Sequence, residues 1–185
     1  MSAVPAAVPP KSPKGSENPA RAVRVIKIVV NAGVGESGEP RTKAEKVLQM
    51  ITHAKPVSTR AKETNRDLGI RLGQEIGAKV TLRGAPALEF LERALDARDR
   101  QLDPDSIDRS GNFSFGVADY TDFAGMKYDP AIGVVGMDIC VELGRAGWRL
   151  RERKRAPQRI PAHLKVTPDE SRKFLVDALR VAFLE

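Results

Sequence analysis

Gly33, Gly35 and Gly38 follow an apolar, β-branched stretch and precede a helical pattern. That is the context in which G-x-G-x-x-G turns backbone amides onto a dinucleotide pyrophosphate. The next segment opposes that chemistry. A dinucleotide-binding sheet is parallel and covered on both faces, so its following strand is a continuous apolar run, whereas residues 57–62 read VSTRAK. Glu39 and Pro40 also stand between the third glycine and a helix expected to open near Thr42, where Thr42 and Glu45 have capping-box spacing. A P-loop is excluded because no Gly-Lys-Ser/Thr follows. The loop reads as a strand-to-helix turn that lets backbone approach RNA, and a nucleotide-dependent enzyme using Gly33–Gly38 is the alternative function.

Other catalytic chemistry has little material. His53 and His163 each sit beside an alanine near an element end, with no metal-ligand spacing to Cys140 or to one another, and are expected at the surface. No metal or cofactor is expected. Cys140 is the only cysteine, so no intrachain disulfide can form, which fits a reducing cytosol. It shares a strand side with Asp138 and Glu142 and reads as a small, unreactive filler. Asp103 and Asp105 lie in an acidic segment and read as a solvated face.

The stronger pattern is cationic. Residues 78–84, AKVTLRG, alternate Ala78, Val80 and Leu82 with Lys79, Thr81 and Arg83, a half-buried strand whose open side suits phosphates and sugar hydroxyls. The chain carries 31 Lys and Arg against 24 Asp and Glu, a formal net charge of +7 expected of a polyanion binder. The charge is segregated. Residues 55–83 and 145–159 are rich in cations, while residues 89–108 are acidic and should face away from nucleic acid or toward a basic protein. Trp148 beside Arg149, Arg151, Arg153, Lys154 and Arg155 adds an aromatic to a basic run, a combination that contacts RNA by stacking and phosphate neutralisation.

These side chains need a scaffold. Residues 23–31 form a strand with Lys27 and Asn31 on one side, and Lys55 to Lys62, with Thr59 inside it, forms a second, polar strand. Leu68, Ile70 and Leu72 alternate in a third strand that turns at Gly73 and Gly77 into the strand at Ala78, an antiparallel hairpin. Between them a helix carries Ala44, Val47, Leu48 and Ile51, and another opens at Pro86 with Ala87, Phe90, Leu91, Ala94 and Leu95 inward. Phe113, Phe115 and Val117 alternate, as do Val135, Met137, Ile139, Val141 and Leu143, with a loop from Asp119 to Ile132 between them. A last helix opens at Thr167, with Phe174, Leu175, Ala178, Leu179 and Ala182 inward. The fold class is α+β: an antiparallel sheet, helices packed on one face, the other face open for RNA. Residues 1–20 read as a flexible Pro/Ala-rich tail and residues 21–185 as a single domain. No apolar run reaches the roughly 20 residues that span a bilayer, so no membrane partner is expected.

Five motifs occur in order: NAGVGES (residues 31–37), KPVSTRAK (55–62), GIRLGQEIGAKVTLRG (69–84), GNFSFG (111–116) and KYDPAIGVVGMD (127–138). Together they closely resemble the large-subunit ribosomal protein five family, in its archaeal and eukaryotic form. The resemblance implies a structural, cytoplasmic ribosomal protein that binds 5S ribosomal RNA in the central protuberance. It places Asn31, Thr81 and Arg83 on the RNA face. It further implies 23S-type ribosomal RNA and neighbouring protuberance proteins as partners, and a Gly69–Gly77 hairpin reaching P-site tRNA through Gly69, Ile70, Arg71, Leu72, Gly73 and Gln74. The loop before Asp129 would meet a small-subunit head protein across an intersubunit bridge. One residue departs from the family: Ala54 stands where it often has Gln, so no RNA contact is carried over there.

Overall fold

Strands β1 (Arg24–Gly33), β2 (Val57–Arg60), β3 (Glu75–Leu82), β5 (Phe113–Val117) and β6 (Met137–Gly144) form one sheet in the order β2-β3-β1-β6-β5. Every pair is antiparallel. The computed structural model describes residues 21–183; the tail over residues 1–20 and the side chain of His163 lie outside the described residues.

Alternation decides which side is covered. Ile28, Val30 and Ala32 of β1, Ala78, Val80 and Leu82 of β3, and Ile139, Val141 and Leu143 of β6 are all buried, because every second side chain of a strand points to the same face. Helix α1 (Glu39–Thr52) lays Ala44, Val47, Leu48 and Ile51 on that face, and α2 (Ala85–Asp96) adds Ala87, Phe90, Leu91, Ala94 and Leu95. Phe90 is fully buried and stacks on Phe123 with ring centroids 5.9 Å apart. Truncating such a residue to alanine costs about 3–5 kcal/mol. On the opposite face Lys79, Thr81, Ser114, Asp138 and Cys140 are exposed.

Close approach of β1 and β3 requires a glycine. A Cβ on Gly77 would stand 2.8 Å from the Ala32 carbonyl oxygen and 2.9 Å from Thr59 Oγ1. Helix α4 (Pro168–Leu179) opens with the expected capping box of Thr167 and Glu170, and its buried Ser171 donates to the Gly111 carbonyl at 2.7 Å.

Four local expectations are corrected. First, α1 begins at Glu39, with Gly38 as its N-cap and Pro40 in its first turn; Thr42 Oγ1 donates to the Gly38 carbonyl and Glu45 pairs with Arg41, so no capping box forms at Thr42. Proline suits the first turn, where its missing N–H is no loss. Second, residues 61–74 contain no strand. Asn65 and Ile70 exchange two backbone hydrogen bonds of 2.9 Å around a turn, and the hairpin is instead β2 against β3. Third, α4 stops at Leu179 with Arg180 left-handed, leaving Ala178 exposed; Ala182 is also exposed, in β7 (Ala182–Phe183), which pairs in parallel with β4 (Gln101–Leu102). Fourth, Cys140 is exposed rather than a filler.

Candidate nucleic-acid interface

The register converts separate strands into rows on the open face. One row runs Val57, Lys79, Asn31, Asp138, Gly116 from β2 to β5; the next runs Thr81, Val29, Cys140, Ser114. Residues directly opposite in an antiparallel pair share a face, so Asn31 stands between Lys79 and Asp138. Among the described residues, Asn31, Lys79 and Thr81 have no side-chain hydrogen bond or ion pair, leaving an amide, an ammonium and a hydroxyl free for an incoming partner.

Lys27 was expected to be equally available, and it is not. It pairs at 2.7 Å with Glu142, which lies opposite it on β6 and also accepts from Trp148 Nε1 at 3.0 Å. Arg83 follows β3 at the corner of the face, 4.0 Å from Glu152. Thr59 sits opposite Gly77 and fills the space that glycine leaves open. Lys55 and Lys62 are exposed in the segments that flank β2, outside the rows.

The basic run is partly folded. Helix α3 (Arg149–Glu152) follows Trp148, and the Arg151 guanidinium lies 5.2 Å from the indole centroid, so one ring face is already engaged. Arg153 donates to the Ala156 carbonyl, and Lys154 and Arg155 are exposed.

The loop of residues 61–74 is tied by side chains. Asn65 accepts from the Asp67 and Leu68 amides, Thr64 from Leu72, and Gln74 from Arg71, while the Gln74 amide donates to Ser37 at 3.0 Å. Gln74 is therefore a strut of the loop. Gly69 and Gly73 hold φ of 64° and 80°, Ile70 is half-buried, and Arg71, Leu68 and Leu72 are exposed, each leucine by 68%.

Sequence reasoning put Asp138, Cys140 and Glu142 on one strand side but missed that this acidic side lies beside Asn31 and Lys27. The apolar alternation of β6 requires Asp138, Cys140 and Glu142 to share the open side, yet the neighbour of β6 is fixed by pairing, which one strand's pattern does not reveal. Partial desolvation against the sheet, then the Asp138 carboxylate, push the exposed Cys140 thiol above its ordinary value. The Gly33 loop is backed by protein: the Val34 and Gly35 amides both donate to the Ile76 carbonyl. With that engagement and an antiparallel sheet, the dinucleotide reading is overturned. Gly38 does lie at the helix start, so the earlier objection from Glu39 and Pro40 does not stand.

A family model described as "Ribosomal protein L5" matches residues 18–71, and one described as "ribosomal L5P family C-terminus" matches residues 75–181. The chain is 45% identical over 170 residues to the large ribosomal subunit protein uL5 of Picrophilus torridus, covering 91% of this chain and 97% of that protein. It is 45% identical over 161 residues to its namesake from Archaeoglobus fulgidus, covering 87% and 90%, and 46% identical over 159 residues to that of Methanoculleus marisnigri, covering 86% and 95%.

Proposed function

The chain belongs to the ribosomal protein L5 family, and we propose that it holds 5S ribosomal RNA against the β2-β3-β1 part of its open sheet face. It is a structural protein of the large ribosomal subunit, not an enzyme; it binds ribosomal RNA and works in the cytoplasm as part of the ribosome. The observation that carries the finer reading is the trio of Asn31, Lys79 and Thr81: adjacent by register and without intramolecular partners among the described residues. Such groups donate to phosphate oxygens and 2′-hydroxyls, the features by which proteins recognise folded RNA. Thr59, Arg83, Lys55 and Lys62 extend the surface, and Arg149, Arg151, Arg153, Lys154 and Arg155 supply phosphate neutralisation beside it. Lys27, occupied by Glu142, is left out of this surface.

Within the same reading, the protein sits in the central protuberance, against 23S-type RNA and neighbouring proteins. The tip formed by Gly69, Ile70, Arg71, Leu72 and Gly73, braced by Gln74, meets P-site tRNA. Its exposed leucines and arginine on an internally bonded loop support a contact with a folded surface. The segment before Asp129, braced by the Asp129 amide donating to Tyr120 Oη at 2.8 Å, faces a small-subunit head protein. A gel-shift titration of 5S ribosomal RNA against a tRNA at matched salt tests the central part: 5S RNA should bind at least tenfold more tightly, and equal affinities would leave only sequence-independent charge attraction.

A further inference from the structure

A concave site lies at the corner of the sheet, outside the rows of the open face, with a cavity volume of about 620 Å³. Three separate segments build it: the start of β1, the residue after β3, and the turn and helix after β6. They contribute Arg24, Arg83, Arg145, Arg149, Arg153 and Lys154 against one carboxylate, Glu152. Arg145 is committed to Glu170, and Arg83 is 4.0 Å from Glu152. Among the described residues Arg24, Arg149, Arg153 and Lys154 have no ion pair. Cations gathered in a concavity repel one another and focus a positive potential, and an anion seated there reverses both effects.

The site is built rather than incidental. A β-bulge between Val25 and Lys27 makes Ile26 the extra residue of β1, and its side chain lines the cavity. Trp148 forms another wall, fixed by Glu142 through its indole nitrogen and seated over Gly144, where a Cβ would stand 2.9 Å from Ile26 Cγ1 and 3.5 Å from Trp148 Cδ2. Guanidinium groups present paired donors that match phosphate oxygens, and they meet here from different directions.

We propose that this cavity clasps the phosphodiester backbone of ribosomal RNA as a discrete site, locking the basic segment after β6 to the corner of the sheet. The proposal rests on the reading of the chain as an RNA-binding ribosomal protein, and it goes beyond general neutralisation by joining Arg24 of β1 to Arg149, Arg153 and Trp148 in one pocket, with Arg145 held in its wall by Glu170.

Trp148 is the chain's only tryptophan and forms a wall of the pocket, so tryptophan emission reports on events at that wall. Titration of the full chain with hexauridylate should change that emission saturably. Arg24→Gln/Arg149→Gln/Arg153→Gln should raise the Kd by roughly tenfold or more, while Lys46→Gln/Arg172→Gln/Lys173→Gln, the same charge loss on α1 and α4, should raise it less than about threefold. All six positions are exposed, and unchanged circular dichroism confirms folding. Equal losses in the two triple variants, or an equal response to polyglutamate, would overturn the pocket. If 5S RNA is retained in a gel shift but Trp148 is silent, the pocket fails while the sheet reading stands. If Trp148 responds normally but Asn31→Ala/Thr81→Val leaves 5S binding intact, the sheet reading fails while the pocket stands.

Discussion

On β2, β3 and β1 the open face carries Thr59, Lys79, Asn31 and Thr81; on β6 and β5 it carries Asp138, Glu142, Cys140 and Ser114. The two regions share one register and one solvent-facing side. They differ in charge, and Glu142 extends the difference by occupying Lys27 at 2.7 Å. With strands about 4.8 Å apart, Asp138 lies roughly 10 Å from Lys79, close to the Debye length of about 8 Å at physiological salt. A phosphate chain is therefore drawn toward β3 and discouraged over β6. An open sheet face can in this way set the lateral position of a nucleic acid without enclosing it.

The largest effect should come from making the regions alike. Lys79→Glu extends the acidic row across Asn31, and 5S RNA affinity should fall by about 2–3 kcal/mol, the range for a lost charged hydrogen bond plus repulsion; filter binding at several salt concentrations measures it. Gly77→Ala acts through geometry instead, because the new Cβ meets the Ala32 carbonyl oxygen at 2.8 Å, a backbone atom that cannot rotate away. Stability should drop by about 1–3 kcal/mol, read as a lower denaturant midpoint, with RNA binding weakened as β1 and β3 separate.

The smallest change should sharpen the contrast from the acidic side. Asp138→Asn removes the carboxylate beside Asn31, so RNA should bind about twofold to fivefold more tightly at low salt, with the gain fading as salt screens it. The same carboxylate helps hold the Cys140 thiol above its ordinary value. Its removal lowers that value, raises the thiolate fraction below it, and should speed maleimide labelling near pH 8.

The buried faces of β1, β3, β5 and β6 and the inward stripe of α2 were legible in the sequence, because alternation and helical spacing directly express which side meets the core. The 61–74 loop was not. Leu68, Ile70 and Leu72 alternate as a strand does, but Asn65 and Thr64 satisfy the local amides by side-chain hydrogen bonds and hold a turn instead. On the site, Asn31, Lys79 and Thr81 were legible from alternation. The capture of Lys27 by Glu142 was not, since it depends on β1 lying beside β6 across more than a hundred residues of chain. The corner cavity was hidden for the same reason, and its bulged Ile26 leaves no mark in an apolar β-branched run.

The central claim is that RNA lies on the β3 and β1 side of the open face. It is tested most directly by comparing two double variants for 5S ribosomal RNA affinity at matched salt: Asn31→Ala/Thr81→Val on that side and Ser114→Ala/Cys140→Ala on the other. Each pair deletes polar groups from exposed or half-exposed positions, so melting temperatures should change little. The first pair should cost about 1–3 kcal/mol, two hydrogen bonds' worth, and the second less than about 0.5 kcal/mol. Equal losses, or a loss confined to the second pair, would contradict the assignment.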